Sequence, residues 1–218
     1  MGIGLNGTLL EFFPVPKNAC TSVKRAIFAH NHPGVPLRDR PPGLKDPDFI
    51  LFELDGQPYK HIHQFYKTVP LRFRPWPRSS RSQRFSIVRD PVERFVSGYS
   101  NRVLFHNDLQ LETPPELDEF IDRLDIFMQN SLIKHHFSPQ FQFLGMRPSF
   151  YDRIFDIREL DELTAYCAER GAPIALPHSQ TGGPKIPLSV LTSAMKDKIA
   201  RRYRRDYRIF GKFFQSKG

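Results

Sequence analysis

The fold is decided by a segment near the N-terminus, where residues 12–22 read Phe-Phe-Pro-Val-Pro-Lys-Asn-Ala-Cys-Thr-Ser. The apolar run from Leu9 to Val15 predicts a buried β-strand, which Pro16 ends. Residues from about Ser22 to His30 predict a helix that follows directly. A strand that passes through a tight loop into a helix directs free backbone N–H groups and the positive end of the helix dipole at one point. The segment therefore predicts an anion-binding site.

The loop of this segment carries polar side chains that suit a phosphate group. Lys17 adds a movable positive charge, and Thr21 and Ser22 add hydroxyl donors. It is not a Walker A loop, because the pattern G-x-x-x-x-G-K-[ST] is absent. Taken alone, the segment fits equally well an ordinary strand-to-helix turn with a capping threonine and a surface lysine.

A second segment of the same kind spans residues 85–99 and reads Phe-Ser-Ile-Val-Arg-Asp-Pro-Val-Glu-Arg-Phe-Val-Ser-Gly-Tyr. It predicts a short buried strand and then a helix with Asp90 as N-cap and Pro91 in its first position. Arg89 lies between them, where ligands bind in open α/β sheets, and a guanidinium there can hold a phosphate through two hydrogen bonds. Ser97 offers a hydroxyl from the helix. The alternatives are a structural ion pair for Arg89 and close packing for Ser97.

The remaining segments alternate between strand and helix patterns. Strands are predicted at Phe49–Leu54, Tyr59–Phe65 and Arg153–Ile157, a hairpin turn at Asp55-Gly56, and helices at Pro115–Leu124, at Glu159–Glu169 and along the apolar stripe from Leu188 to Phe210. This alternation indicates an α/β protein with a central, mostly parallel sheet flanked by helices. We expect residues 1–218 to form a single domain.

The composition is that of a basic globular protein. Hydrophobic residues make up 39% of the 218 residues, and 32 Lys and Arg against 23 Asp and Glu give a net charge of +9, which predicts an anionic partner. No apolar run reaches the roughly 18 residues of a membrane span, so none is expected. Two cysteines, Cys20 and Cys167, are too few for a disulfide framework.

Together the two segments resemble those of sulfotransferases that use 3′-phosphoadenosine 5′-phosphosulfate (PAPS), most closely the carbohydrate branch with the chondroitin, HNK-1-type and 2-O-sulfotransferases. The family's first loop grips the 5′-phosphosulfate, and its second segment grips the 3′-phosphate through an arginine and a serine. The tail at residues 203–211 resembles the family's closing helix. The resemblance implies the P-loop-NTPase-like sulfotransferase fold. It assigns PAPS binding to Lys17, Asn18, Ala19, Cys20, Thr21 and Ser22 in the loop and to Arg89 and Ser97 in the second segment.

The resemblance implies in-line transfer of a sulfuryl group from PAPS to a hydroxyl, with 3′-phosphoadenosine 5′-phosphate (PAP) as the product and no metal. Such a transition state loads negative charge on the leaving phosphate, and we assign Lys17 to stabilise it. A base must also take the acceptor's proton, and histidine suits that role. In an extended segment His61 and His63 point to the same side, which resembles the "H-x-H" strand of the 2-O-sulfotransferases. We therefore expect His63 as the base, with His61 as support or alternative.

Other histidines and loops have weaker assignments. The alternative for His61 and His63 is a pair of half-exposed residues on an edge strand. We interpret His135-His136 as a loop or helix-surface pair. Thr181 and Lys185 lie in a glycine-containing loop that in relatives closes over the 3′-phosphate. The alternative is a plain flexible loop.

The acceptor is expected to be a hydroxyl of a saccharide or glycoconjugate. A basic stretch from Arg72 to Arg84 includes Trp76 and fits either a track for an anionic polysaccharide or a solvated loop. A kinase on a variant phosphate loop is an alternative function, for which Asp156 is the candidate metal ligand. A basic nucleic-acid-binding protein is another, although its usual motifs are missing. Because no anchor precedes the first strand, we expect a cytoplasmic bacterial enzyme; the sequence does not predict an oligomeric state.

Overall fold

A four-stranded sheet forms the centre of the computed structural model, which describes residues 2–39, 49–71, 81–177 and 183–214. The strands in the described residues are β1 (Ile3–Gly4), β2 (Leu10–Phe13), β3 (Phe52–Leu54), β4 (Gln57–Tyr59), β5 (Gln83–Val88) and β6 (Arg153–Asp156). The central sheet has the order β1-β2-β5-β6, in which β2, β5 and β6 are parallel and the edge strand β1 is antiparallel. The predicted α/β class with a mostly parallel sheet is thus confirmed, although β1 was not predicted.

The helices of the described residues flank this sheet and build a second, helical layer. They are α1 (Cys20–Asn31), α2 (Ile62–Phe65), α3 (Pro91–Gly98), α4 (Leu117–Asp122), α5 (Leu124–Phe127), α6 (Ser131–Phe137), α7 (Phe141–Leu144), α8 (Leu160–Ala168), α9 (Ser193–Arg202) and α10 (Arg204–Phe210). A π-helical turn, Tyr99–Phe105, continues α3. No helix in the described ranges has the length and apolar character needed to cross a membrane.

The two faces of the sheet bury alternate residues of the same strands. Phe12 and Phe85 pair across β2 and β5 and pack with α1 and α8, whereas Phe13 and Val88 pack on the opposite face with α7 and α10. Since successive strand residues point to opposite faces, these apolar runs mark strands that are buried on both sides. The sheet therefore holds the carboxyl ends of β2, β5 and β6 rigidly at one edge.

Local end signals explain where α3 begins. The carboxylate of Asp90 accepts the backbone N–H groups of Val92 at 2.9 Å and Glu93 at 3.2 Å, and Pro91 occupies the first helical turn. A carboxylate at this position satisfies donors that have no partner inside the helix. The predicted N-cap is confirmed, and it fixes Arg89 at the junction between β5 and α3.

The predicted extended segment Tyr59–Phe65 is wrong. The hairpin turn at Asp55-Gly56 is present, but β4 ends at Tyr59 and residues 62–65 form the short helix α2. The side chain of Gln64 accepts the backbone N–H of Lys60 at 2.7 Å, which closes the turn. A side-chain bond of this kind competes with strand pairing, and the apolar spacing alone does not reveal it.

Candidate active site

A cleft of about 590 Å³ opens where the parallel strands end. The loop after β2, residues 14–19, Arg89 after β5 and Arg158 after β6 all lie at this edge. Lys17, Arg89, Ser97 and Lys185 line the cleft together. Parallel strands bring their carboxyl ends to one edge, so the two segments singled out in the sequence meet in space.

The β2–α1 loop has a backbone suited to an anion. Lys17 and Ala19 both have left-handed conformations, with φ values of 70° and 52°. Such a conformation costs roughly 1–3 kcal/mol for a residue other than glycine, and successive N–H groups in turns of this kind form concave anion sites. Ala19 is the N-cap of α1, but it has no side-chain oxygen that could accept from the backbone N–H groups of the first turn. No acidic residue lies in that turn. The positive end of α1 therefore faces the loop without a local negative charge.

Lys17 is a lysine whose charge the surroundings disfavour. Burial lowers its pKa to about 8, and the positive charges of Arg102 and Arg89 act in the same direction. An anion in the cleft would relieve this repulsion and raise the pKa again. The side chain is thus placed to gain energy from a negatively charged ligand.

Arg89 offers the cleft a buried hydrogen-bond donor. Its Nε is buried and makes no hydrogen bond within the described part of the chain, and the nearest carboxylate oxygen, on Glu93, is 3.7 Å away. Glu93 binds Arg158 more closely, at 2.6 Å. Among the described residues, the charged side chains that line the cleft are cationic at Lys17, Arg89, Arg158 and Lys185 and anionic at Glu93. This donor set fits a ligand with more than one negative charge, as an adenosine bisphosphate has.

Several predicted binding residues have other places. The side chain of Asn18 is fully buried and donates to the backbone oxygen of Ile87 at 2.8 Å and to Oε1 of Gln140 at 2.7 Å, so these contacts hold the loop. Cys20 is buried in the first turn of α1, beside the half-buried Thr21 and Ser22. Thr181 lies outside the described residues.

Lys185 reaches the cleft because its segment lies close against the π-helical turn. A Cβ on Gly183, which has φ +115°, would come within 2.6 Å of the backbone oxygen of Ser100. The hydroxyl of Ser100 donates to the oxygen of Pro184. Glycine at 183 therefore permits the contact that brings Lys185 to the cleft.

Two buried side chains that the sequence analysis missed support the loops. Gln140 accepts from Asn18 and from the backbone N–H of Arg89 at 3.1 Å, and its Nε2 donates to the oxygen of Arg89 at 2.8 Å. Arg94 donates to the oxygens of Pro16 and His136, both at 3.0 Å. Both residues are far in sequence from the loops that they hold, so spacing gave no signal.

His63 lies against the β2–α1 loop although its segment is not a strand. Its Nε2 is 2.9 Å from the hydroxyl oxygen of Thr21, and its Nδ1 is 3.0 Å from Nζ of Lys24. Burial lowers the pKa of His63 to about 3, and Lys24 lowers it further when it is protonated, so the ring is uncharged at neutral pH. His61 is exposed, with its ring 6.2 Å from that of His63.

His135 and His136 lie on a helix, as one of the two interpretations expects, but they are not surface residues. Both residues are half-buried on α6, and burial lowers the pKa of His135 to about 4, with Lys24 as the next cause. Burial also lowers the pKa of His136. These uncharged rings border the same basic region as His63. Their place depends on how α6 packs, which the sequence pattern does not show.

The structure describes part of the basic stretch from Arg72 to Arg84 and the surroundings of Asp156. Arg84 packs its guanidinium over the ring of Phe150 at 4.5 Å. The stretch 72–80, with Trp76, lies outside the described residues. Asp156, the candidate metal ligand of a kinase, is fully buried and pairs with Arg158 at 3.1 Å. In the described ranges no three His, Cys, Asp or Glu side chains gather as a metal site.

The comparison with protein-family models agrees with this geometry. The model described as the sulfotransferase family matches residues 9–214, which include both cleft-lining segments and the tail. No curated protein and no solved structure matches the chain. Since the match covers almost the whole sequence, the chain belongs to the sulfotransferase family.

Proposed function

We propose that this sulfotransferase moves the sulfuryl group of PAPS to a hydroxyl of a saccharide or glycoconjugate by in-line displacement. Family membership supports sulfuryl transfer itself. The donor proposal rests on one observation: Lys17 and Arg89, from separate loops, line a single cleft together with Ser97. Two cationic groups from separate loops in one cleft suit a ligand that carries more than one phosphate group. The P-loop-like form of the fold is part of this proposal.

The two ends of the cleft receive different roles. The β2–α1 loop, with its left-handed residues and the positive end of α1, would hold the 5′-phosphosulfate, and Arg89 and Ser97 would hold the 3′-phosphate. When bound, PAPS supplies the sulfuryl group and a phosphate leaving group. Lys17 would stabilise the charge that develops on the leaving oxygen. Lys185, and Thr181 in the adjoining segment, would close the site on the 3′ side.

His63 is proposed to take the proton of the acceptor hydroxyl. It contacts Thr21 of the first turn of α1, and its low pKa leaves the ring free of a second proton at neutral pH. A base must start in its unprotonated form to receive the proton. His61, which is exposed and has its ring 6.2 Å from that of His63, is the proposed support.

The experiment for the donor is a thermal-shift series with three ligands. PAP in the presence of EDTA, ATP with Mg²⁺, and duplex DNA are each added to the full chain. The proposal expects stabilisation by PAP without metal, because a ligand that binds only the folded state raises the melting temperature. Stabilisation by ATP with Mg²⁺ alone would favour the kinase alternative, and stabilisation by DNA alone would favour the nucleic-acid alternative.

Single substitutions separate donor binding from chemistry. Lys17→Ala and Arg89→Ala should each weaken PAP binding or abolish turnover, whereas His63→Ala should keep PAP binding and lose rate with radiolabelled PAPS. Lys196→Ala, an exposed lysine on α9, is the control for a lost positive charge. A His63→Ala protein with the full wild-type rate would refute the base assignment. A screen of saccharide and small-alcohol acceptors with labelled PAPS tests the acceptor class.

A further inference from the structure

A buried lysine stands directly behind His63. Lys24 lies on α1 with none of its side chain exposed, and its Nζ is 3.0 Å from Nδ1 of His63 and 2.5 Å from the hydroxyl oxygen of Thr68. The other ring nitrogen, Nε2, faces the hydroxyl of Thr21 at 2.9 Å. The imidazole is therefore held between the first turn of α1 and a fully buried amine.

The chemistry of these contacts links the proton of His63 to that of Lys24. An ammonium has only donors, so a protonated Lys24 requires Nδ1 to accept, and the proton of the neutral ring then lies on Nε2. An uncharged amine can accept, so the ring proton can lie on Nδ1, and the lone pair of Nε2 then points toward Thr21. Only this second arrangement leaves Nε2 able to take a proton from a substrate.

Resting on the function proposed above, we propose that Lys24 is a positioning residue that acts through His63: as an uncharged amine it holds the ring proton on Nδ1 and makes Nε2 the base. The proton balance is complete. The acceptor's O–H bond breaks as its oxygen bonds to sulfur, and the bond from sulfur to the 5′-phosphate oxygen breaks to release PAP. The acceptor's proton goes to Nε2, and the Nδ1 proton passes to Nζ of Lys24. Before the next turnover Nε2 releases its proton to solvent, and the ammonium of Lys24 returns the other proton to Nδ1.

The groups around His63 explain why its ring would pass a proton on to Lys24. His61 at the start of α2, His135 from α6 and Arg102 from the π-helical turn disfavour a positive charge on His63, and so does Lys24 whenever it is protonated. An alkylamine is intrinsically about four pK units more basic than imidazole. The pair therefore takes up one proton as a unit, and Lys24 is its better final holder.

The first test reads the ring proton directly and needs no substitution. Nitrogen-15 NMR of the imidazole side chains, assigned with His63→Gln, reports whether Nδ1 or Nε2 carries the proton. We expect the Nδ1–H form of His63 at the pH of full activity and a change to the Nε2–H form as the pH falls and Lys24 becomes protonated. Finding the Nε2–H form at the pH of full activity would overturn the proposal.

The second test compares two substitutions at position 24. Lys24→Gln keeps a carbonyl oxygen that can accept from Nδ1 but cannot ionise, whereas Lys24→Met keeps only similar bulk. We expect PAP affinity within about twofold of wild type in both, a kcat loss of roughly a hundredfold in Lys24→Met, and a smaller loss in Lys24→Gln. The acidic limb of the pH–rate profile should move to lower pH in Lys24→Gln, because the lysine no longer titrates. Lys196→Met serves as the control for an exposed lysine.

The outcomes separate this inference from the proposed function. Equal kcat losses in both variants, with the acidic limb of Lys24→Gln at its wild-type position, would show a merely structural role and overturn the inference. If the wild-type protein transfers nothing from PAPS to any hydroxyl, the proposed function fails, and the NMR measurement as a function of pH still decides whether Lys24 sets the ring proton of His63.

Discussion

The charge of Lys17 changes between pH 7 and pH 9, and the binding of an anionic ligand depends on that charge. Burial lowers its pKa to about 8, so the amine is mainly protonated at pH 7 and mainly neutral at pH 9. A cation next to a phosphate binds it, and a neutral amine loses most of that attraction. The affinity for PAP should therefore fall as the pH rises through this range.

The size of this effect follows from the fraction of charged lysine. We expect the Kd for PAP to increase by up to about tenfold between pH 7 and pH 9, as measured by calorimetric titration at constant ionic strength. Lys17→Arg keeps its charge throughout, so its Kd should stay nearly constant. A wild-type Kd that does not change with pH would contradict the assignment of Lys17.

Sequence patterns predict the positions of some residues of the site and not of others. Lys17 and Arg89 were predictable, because each directly follows a strand whose direction places it at the ligand-binding edge. Asn18 was assigned to the ligand but points inward, since a left-handed neighbour on each side redirects the loop. Lys24 was missed, because its partner Thr68 lies 44 residues away and α1 alone gives no reason for a buried lysine.

At the level of elements, the start of α3 holds the arginine of the cleft in place. Asp90 caps the helix with one carboxylate oxygen, and the other accepts from the hydroxyl of Tyr207 on α10 at 2.9 Å. The cap therefore joins a local helix signal to a long-range contact. Asp90 and Pro91 predict the cap from sequence, but no sequence feature indicates the contact between Asp90 and Tyr207.

Removing this carboxylate should weaken the fold and the site together. We expect Asp90→Ala to lower the free energy of unfolding by about 2 kcal/mol in urea denaturation, from the lost cap and the lost bond to Tyr207. Asp90→Asn keeps an oxygen for the cap, and Tyr207→Phe removes only the second bond, so each should cost less. An Asp90→Ala protein as stable as wild type would contradict the role of the cap.

Elements with strong local end signals were predicted well, and those that depend on a single side chain were not. The hairpin at Asp55-Gly56 and the helix after Asp90 follow from residues whose conformational preferences are strong. Residues 59–65 have the composition of a strand, but the Gln64 side chain closes a helical turn there. The predicted common side for His61 and His63 failed with that strand, although their rings remain neighbours.

For the whole molecule, Gln140 joins the two loops that form the cleft. Its side chain binds Asn18, which is 122 residues away in sequence, and the backbone of Arg89, which is 51 residues away. Its own backbone N–H donates to the buried Asp206 of α10 at 2.8 Å. No repeat, spacing or composition predicts a contact of this kind, because it exists only once the sheet and helices have assembled.

Loss of the Gln140 side-chain contacts should separate the two loops that form the cleft. Gln140→Leu removes the bond to Asn18 and both bonds to the backbone of Arg89, so we expect it to lower the free energy of unfolding by roughly 3 kcal/mol and to weaken PAP binding. Gln142→Leu, an exposed glutamine of α7, is the matched control. If unfolding and PAP titrations do not distinguish Gln140→Leu from this control, Gln140 does not hold the two loops of the cleft together.

The central claim is that one cleft binds both ends of one adenosine bisphosphate, and it is tested most directly by removing matched groups from protein and ligand. The Kd values of PAP, 3′-AMP and 5′-AMP are measured for wild type, Lys17→Ala and Arg89→Ala. We predict that Lys17→Ala weakens PAP strongly but 3′-AMP little, and that Arg89→Ala weakens PAP strongly but 5′-AMP little. If neither substitution changes the affinity for PAP, or if each weakens all three ligands equally, the two residues do not bind opposite ends of one ligand.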